Sequence, residues 1–295
     1  MSDYILSCCS TADLSKEYLE SRDIKYIFFH YELDGVMYPD DLGQTMSFKD
    51  FYQSMRDGAM TRTSQINVEE FVEFFEPFLK EGKDLVHPCL SSGITGVMNS
   101  ALIAKEMLEE KYPERTIYII DSYAASSGYG LLVDRMADKR DEGLSAKELY
   151  DWTIENRLNV QHWFFTTDLT YLIRGGRVSK TSGFIGNVLN ICPLLTVNNE
   201  GKLIPKYKVK GKKKVIKETA ARMVEFANNG TDYDDKVFIS NSDCIEDANA
   251  LVAILEEEFP KLKGKITVFD IGTTIGSHTG PGTVALFFWG SKRVD

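Results

Sequence analysis

The chain has 295 residues, 43% of them hydrophobic, 12% aromatic and 26% charged, which supports two ordinary cores or one large one and excludes a disordered chain. Its formal charge of -10 argues against a general affinity for nucleic acid or anionic lipid, both of which demand a positive field over much of the surface. The 5 cysteines show no C-x-x-C spacing and the 4 histidines no H-x-x-x-H pair, so reduced, mostly buried thiols are expected and no metal site.

The opening "MSDYILSCCS" has no basic segment, its apolar run is too short for a signal or anchor, and nothing later approaches a spanning helix. A cytoplasmic protein without stable membrane insertion is expected. "YILSC" reads as a buried strand, followed by the turn "STAD" and an amphipathic stretch from Ser15 to about Ser21. "YIFFHYELDGVMYPD" reads as a hairpin that turns at Asp34-Gly35, a pair that tolerates positive φ. Ser47 caps a helix with Phe48, Phe51, Tyr52 and Met55 on one face, ending at Gly58. Asn67 and Glu70 form a capping box for the next helix, which leaves "TRTSQ" between two helices as a loop.

From "DLVHPCLS" onward strand and helix alternate through "TGVMNSALIAKEMLEEKY", "TIYIID" and "SYAASSGYGLLVDRMADKR", ahead of a helix capped by Ser145 and a strand at "HWFFTTD". That order predicts parallel strands with crossover helices, whose ligands gather beyond the carboxyl ends of the strands. The Ser91 and Asp121 turns fall at such ends. Past residue 168 the pattern changes to a glycine-broken helical stretch, "LTYLIRGGRVSKTSGFIGNVLNI", a hairpin turning at Asn199 to Gly201, and mixed helices and strands ending in "VALFFWG". The fold class is therefore α/β. An N-terminal parallel-sheet α/β/α domain (residues 1–167) is followed by a second, smaller α+β domain containing antiparallel strands (residues 168–295).

Two turns concentrate hydroxyls. "TRTSQ" and "SSGITG" offer Thr61, Thr63, Ser64, Ser91 and Ser92 as neutral donors, backed by backbone N–H groups at two helix starts, which suits an anion; the same residues also suit plain helix caps. His278 in "IGSHTGPG" reads as part of a loop between two strands, where an imidazole either faces a cleft or satisfies a backbone carbonyl. Arg177, directly after two glycines, can approach a phosphate or carboxylate with its planar fork, while "KYKVKGKKK" reads as solvated lysine.

Seven segments in order, "STADLS", "TRTSQ", "SSGITGVMNSA", "DSYAASSGYG", "YLIRGGRVSK", "NEGKLIPKYKVKGKKK" and "GSHTGPGTVALFF", resemble the DegV family over nearly the whole chain. The resemblance implies a carrier that binds a long-chain fatty acid such as palmitate and presents it to a separate fatty acid kinase, with no further cofactor. It implies that Thr63 and Ser92 hydrogen-bond the carboxylate, that Ser64, Ser91 and His278 lie close by, and that the acyl chain occupies a tunnel. Arg177 and the basic segment, with Lys210 where the family often has arginine, then look like the face that meets the kinase and its phosphate. Cys8-Cys9 stand where the family commonly has Asp-Ser, and Ile66 where it has proline.

Physics fits such a site. Burial yields about 0.8 kcal/mol per methylene, and hydroxyl donors with a His278 free to protonate compensate a carboxylate without a permanent counter-ion. Two rival classes are a serine hydrolase using Ser92, His278 and Asp121 or Asp270, and a phosphate- or nucleotide-binding regulator. The first lacks G-x-S-x-G; the second lacks both G-x-x-x-x-G-K-[ST] and G-x-G-x-x-G.

Overall fold

The computed structural model describes residues 4–179 and 190–294, and in them three sheets form. The first is parallel, in the order β2 (Lys25–Ile27), β1 (Tyr4–Cys9), β6 (Asp84–Cys89), β7 (Ile117–Asp121). β1 and β6 are buried almost throughout, as expected of strands covered on both faces. The helices that follow these strands are α1 (Lys16–Ser21), α4 (Val97–Lys111) and α5 (Ser126–Asp141); α3 (Val68–Lys80) and α6 (Ala146–Asn156) also pack against this sheet.

The local signals for these helices reappear as geometry. Asn67 Oδ1 accepts from the Glu70 N–H while the Glu70 carboxylate accepts from the Asn67 N–H, and Phe71, Phe75 and Leu79 are buried one turn apart. Ser145 and Glu148 repeat that box for α6, and Ser47 caps α2 (Phe48–Arg56).

A second sheet of three short antiparallel strands joins β4 (Val36–Pro39), β3 (His30–Leu33) and β5 (Thr61–Ser64). The β3–β4 hairpin turns at Asp34 and Gly35, both at positive φ. β5 corrects the expectation that "TRTSQ" is a loop: Tyr31 pairs with Thr63 across thirty-odd residues of chain, a contact that local pattern does not encode. Pairing turns Thr61 and Thr63 to one side and Arg62 and Ser64 to the other.

The third sheet has six strands, in the order β10 (Leu203–Lys210), β9 (Ile191–Val197), β8 (Val160–Phe165), β13 (Val284–Trp289), β11 (Val237–Asn241), β12 (Ile266–Asp270). All of its pairs are antiparallel except β11 with β12. Membership changes at β8, a few residues before 168, and one apolar cluster runs through both large sheets. α8 (Lys212–Phe226) and α9 (Ile245–Glu258) belong to this half. α7 (Thr170–Arg174) is one turn and a half; against the helical reading of residues 169–191, residues 175–178 are turn and bend and Ile191 already belongs to a strand, while residues 180–189 lie outside the described residues.

"TTIGSHT" is also a correction. Thr273–Thr279 form a short helix, α10, and not a loop. Gly276 permits close approach: a Cβ there would lie 2.3 Å from the Tyr52 hydroxyl. His278 is thereby fixed in the last turn of α10.

Candidate functional site

A cavity of about 360 Å³ lies between the carboxyl ends of the parallel strands and the inner face of the six-stranded sheet. Register explains its floor. Leu203, Val197, His162 and Phe287 stand side by side across β10, β9, β8 and β13, and Phe164 and Ala285 form a second row. Leu90, Ile94, Phe29, Leu172, Ile271 and Ile275 complete an apolar sleeve. His162 adds no free polarity to it, because Nδ1 donates to the Val160 carbonyl at 3.0 Å and Nε2 accepts the Ala125 N–H at 3.4 Å. Burial, reinforced by the Arg293 charge, keeps this imidazole neutral.

Polar groups converge at one end. Thr63 Oγ1 and His278 Nε2 are 2.8 Å apart. Thr95 Oγ1 donates to Gln65 Oε1 at 3.3 Å, and Arg177, carried on the turn after α7, donates from Nε to the neighbouring Ile94 carbonyl at 3.2 Å. All five side chains line the cavity, as do Ser64 at the rim and Gly96 at the start of α4. Burial, and secondarily the Arg177 charge, pulls the His278 pKa down to about 4, so the imidazole is neutral at pH 7. This corrects the expectation of a histidine that protonates. The cation is Arg177, half-buried at the head of the cavity, so a permanent counter-ion is present after all.

Ser91 and Ser92 are not brought to this cavity. Ser91 is fully buried and its hydroxyl donates to the Gly201 carbonyl at 2.9 Å, which ties the turn after β6 to the β9–β10 hairpin. The Ser92 side chain is exposed, and its backbone N–H donates to Asp121 Oδ1. The hydroxyl of this turn that does line the cavity is Thr95, next to the start of α4, where the chain turns inward. Thr95 is not among the candidate residues read from sequence, although its place as the third hydroxyl of "SSGITG" is the signal that points to it. Gln65 carried no signal beyond its place in "TRTSQ". Lys210 is exposed on β10, an edge strand, away from the cavity lining.

The hydrolase arrangement requires Ser92 against His278, but His278 Nε2 meets Thr63 instead. Asp121 accepts from the Ser92 and Tyr123 backbone N–H groups, and Asp270 lies on β12 beside Asn241. Among the described residues no group of three or more His, Cys, Asp or Glu is placed to hold a metal. Cys8 and Cys9 are buried core. Cys9 Sγ lies 3.5 Å from His87 Nε2, and burial holds the thiol up at about 12 and the imidazole down at about 3.

Residues 9–290 match the DegV family model. The chain belongs to the DegV family. A DegV domain-containing protein of Clostridium perfringens is 39% identical over 293 residues, 99% of each chain. Among solved structures, the stearic acid-binding protein of Eubacterium ventriosum is 26% identical with a TM-score of 0.84, covering 96% of this chain and 97% of that one. The Streptococcus pneumoniae Fatty Acid Kinase (Fak) B3 protein, loaded with linoleic acid, has a TM-score of 0.83 at 18% identity, covering 99% of this chain and 100% of that one, a likeness of fold. No helix of this DegV chain, among the described residues, is long and apolar enough to cross a membrane.

Proposed function

We propose that the chain is a cytoplasmic carrier of a long-chain fatty acid, without a catalytic step of its own. The observation that carries this reading is a cavity with a mostly apolar lining and a polar cluster of Thr63, Thr95, Gln65, neutral His278 and Arg177. The acyl chain lies over the floor of Leu203, Val197, His162 and Phe287. Fourteen or so buried methylenes contribute about 10 kcal/mol gross, less the cost of immobilising the tail. The carboxylate accepts from the two threonine hydroxyls and the imidazole N–H, faces Arg177, and lies near the positive end of α4. The stearic acid bound by the Eubacterium ventriosum protein supports the ligand class.

Partnering with a kinase is the finer part of the proposal. Arg177 and the exposed lysines around Lys210 on β10 and α8 form its docking face, and the fold shared with the pneumococcal Fak B3 protein supports it. Division into two domains near residue 167 belongs to the same proposal, with the acid held between them.

Mass spectrometry of an organic extract of the purified protein tests the ligand. A co-purifying long-chain fatty acid is expected, with markedly less in a Thr63→Ala, Thr95→Ala variant. An extract free of acyl species after expression in lipid-replete cells, or equal amounts from both proteins, sinks the reading.

A further inference from the structure

Two buried carboxylates, Asp13 and Asp40, do not themselves line the cavity but stand one residue behind its wall. Asp13, in the turn after β1, is 4% exposed and Asp40, after β4, is 1% exposed. They converge on the first residues of α10. Asp13 Oδ1 accepts the Gly272 N–H at 3.0 Å, and Asp40 Oδ1 accepts both the N–H and the hydroxyl of Thr273, at 3.3 and 2.7 Å. A Cβ on Gly272 would lie 2.7 Å from Asp13 Oδ1 and 3.4 Å from Asp40 Oδ1, so the backbone itself fills the space between the two groups.

Their other oxygens reach different elements. Asp40 Oδ2 accepts from Ser10 Oγ at 3.2 Å, and Asp13 Oδ2 from Ser126 Oγ at 2.5 Å. Asp13 and Ser126 are both non-glycine residues at positive φ, 46° and 53°, a conformation that persists only where surroundings impose it. Burial pushes both carboxyls above the usual range, with the Asp40 charge adding to the effect on Asp13. The parallel sheet, the start of α5 and the start of α10 are thus knotted at one buried point.

α10 is only seven residues, roughly 10 Å, and His278 stands in its last turn. A helix this short moves as a unit. Whatever fixes its first residues therefore sets where the imidazole meets Thr63. We propose that Asp40, assisted by Asp13, is a positioning residue for the carboxylate head: it holds α10 at the height and rotation that keep His278 against Thr63. This inference rests on the reading of the cavity as a fatty-acid site.

The test compares affinity for hexadecanoic acid and for its methyl ester, using delipidated full-length protein and displacement of a fluorescent lipid. The ester shares the tail and lacks the charged head. The expected result is an acid preference of about tenfold or more in the native protein, cut about tenfold in Asp40→Ala, with ester affinity within about twofold. Asp40→Asn keeps an Oδ1 acceptor for Thr273 and restores most of the preference. An Asp40→Ala variant with the native acid-to-ester ratio overturns the proposal, as does equal loss of both ligands, which marks a merely structural role. If Asp40→Ala does not fold, Thr273→Val removes only the hydroxyl bond and lowers the ratio about threefold; an unchanged ratio there overturns the proposal equally. A native protein that binds acid no better than ester overturns the carboxylate reading itself and this inference with it, whereas native preference retained in every variant overturns the inference alone.

Discussion

Thr63→Val is the sharpest probe of the cavity head. It removes one hydroxyl and keeps the β-branched shape, so β5 retains its pairing with β3, where Thr63 faces Tyr31. That hydroxyl is engaged with His278 Nε2 at 2.8 Å; in the proposed complex both groups turn to the carboxylate. A hydrogen bond to a charged acceptor contributes about 1.5–3 kcal/mol, and each 1.4 kcal/mol is about tenfold in affinity. The dissociation constant for hexadecanoic acid is therefore expected to rise about tenfold to a hundredfold, while the sleeve that holds the tail is untouched. Titration calorimetry on delipidated protein measures this directly. Ser92→Ala run in parallel should stay within about twofold of native, since Ser92 is exposed and outside the cavity lining. Native-like binding by Thr63→Val together with a large loss in Ser92→Ala would refute the assignment of the head.

Three more perturbations follow from the same geometry. Arg177→Met removes the head's cation, so acid binding weakens and loses salt dependence; the His278 pKa, held down partly by that charge, moves up from about 4, which histidine NMR titration reads. His278 has its folded pKa lowered to about 4 from 6.5, so the unfolded chain takes up its proton first and stability falls as pH drops from 6.5 toward 4. His278→Gln should then shrink the loss of unfolding free energy between pH 7 and 4.5 by about 2–3 kcal/mol in denaturant melts, and an identical pH profile would count against a buried neutral imidazole. Gly201→Ala places a Cβ 1.9 Å from Ser91 Oγ at a φ of +73°, so the hairpin must shift and the melting temperature should fall by several degrees; an unchanged melting temperature would mean that the Ser91–Gly201 tie is slack.

What the sequence by itself determined about this protein is what local physics controls. The Asn67–Glu70 and Ser145–Glu148 boxes, the Asp34-Gly35 hairpin and the strand–helix alternation are set by side-chain and backbone preferences within a few residues of each other, and each was legible. So was the short roster of segments that carry Thr63 and His278. Tertiary structure decided which of those hydroxyls face the cavity. "TRTS" becomes a strand only because β3 lies beside it, and "TTIGSHT" becomes a helix only because the Tyr52 hydroxyl sits against Gly276 and two carboxylates from distant turns meet its start. Ser91 and Thr95 share one turn, yet one is spent on the Gly201 carbonyl and the other lines the cavity. Arg177 lies half-buried at the cavity head, held by the Ile94 and Gly175 carbonyls, a placement that two preceding glycines alone do not specify. A side chain's direction depends on partners tens to hundreds of residues away, and neither spacing nor composition contains that information.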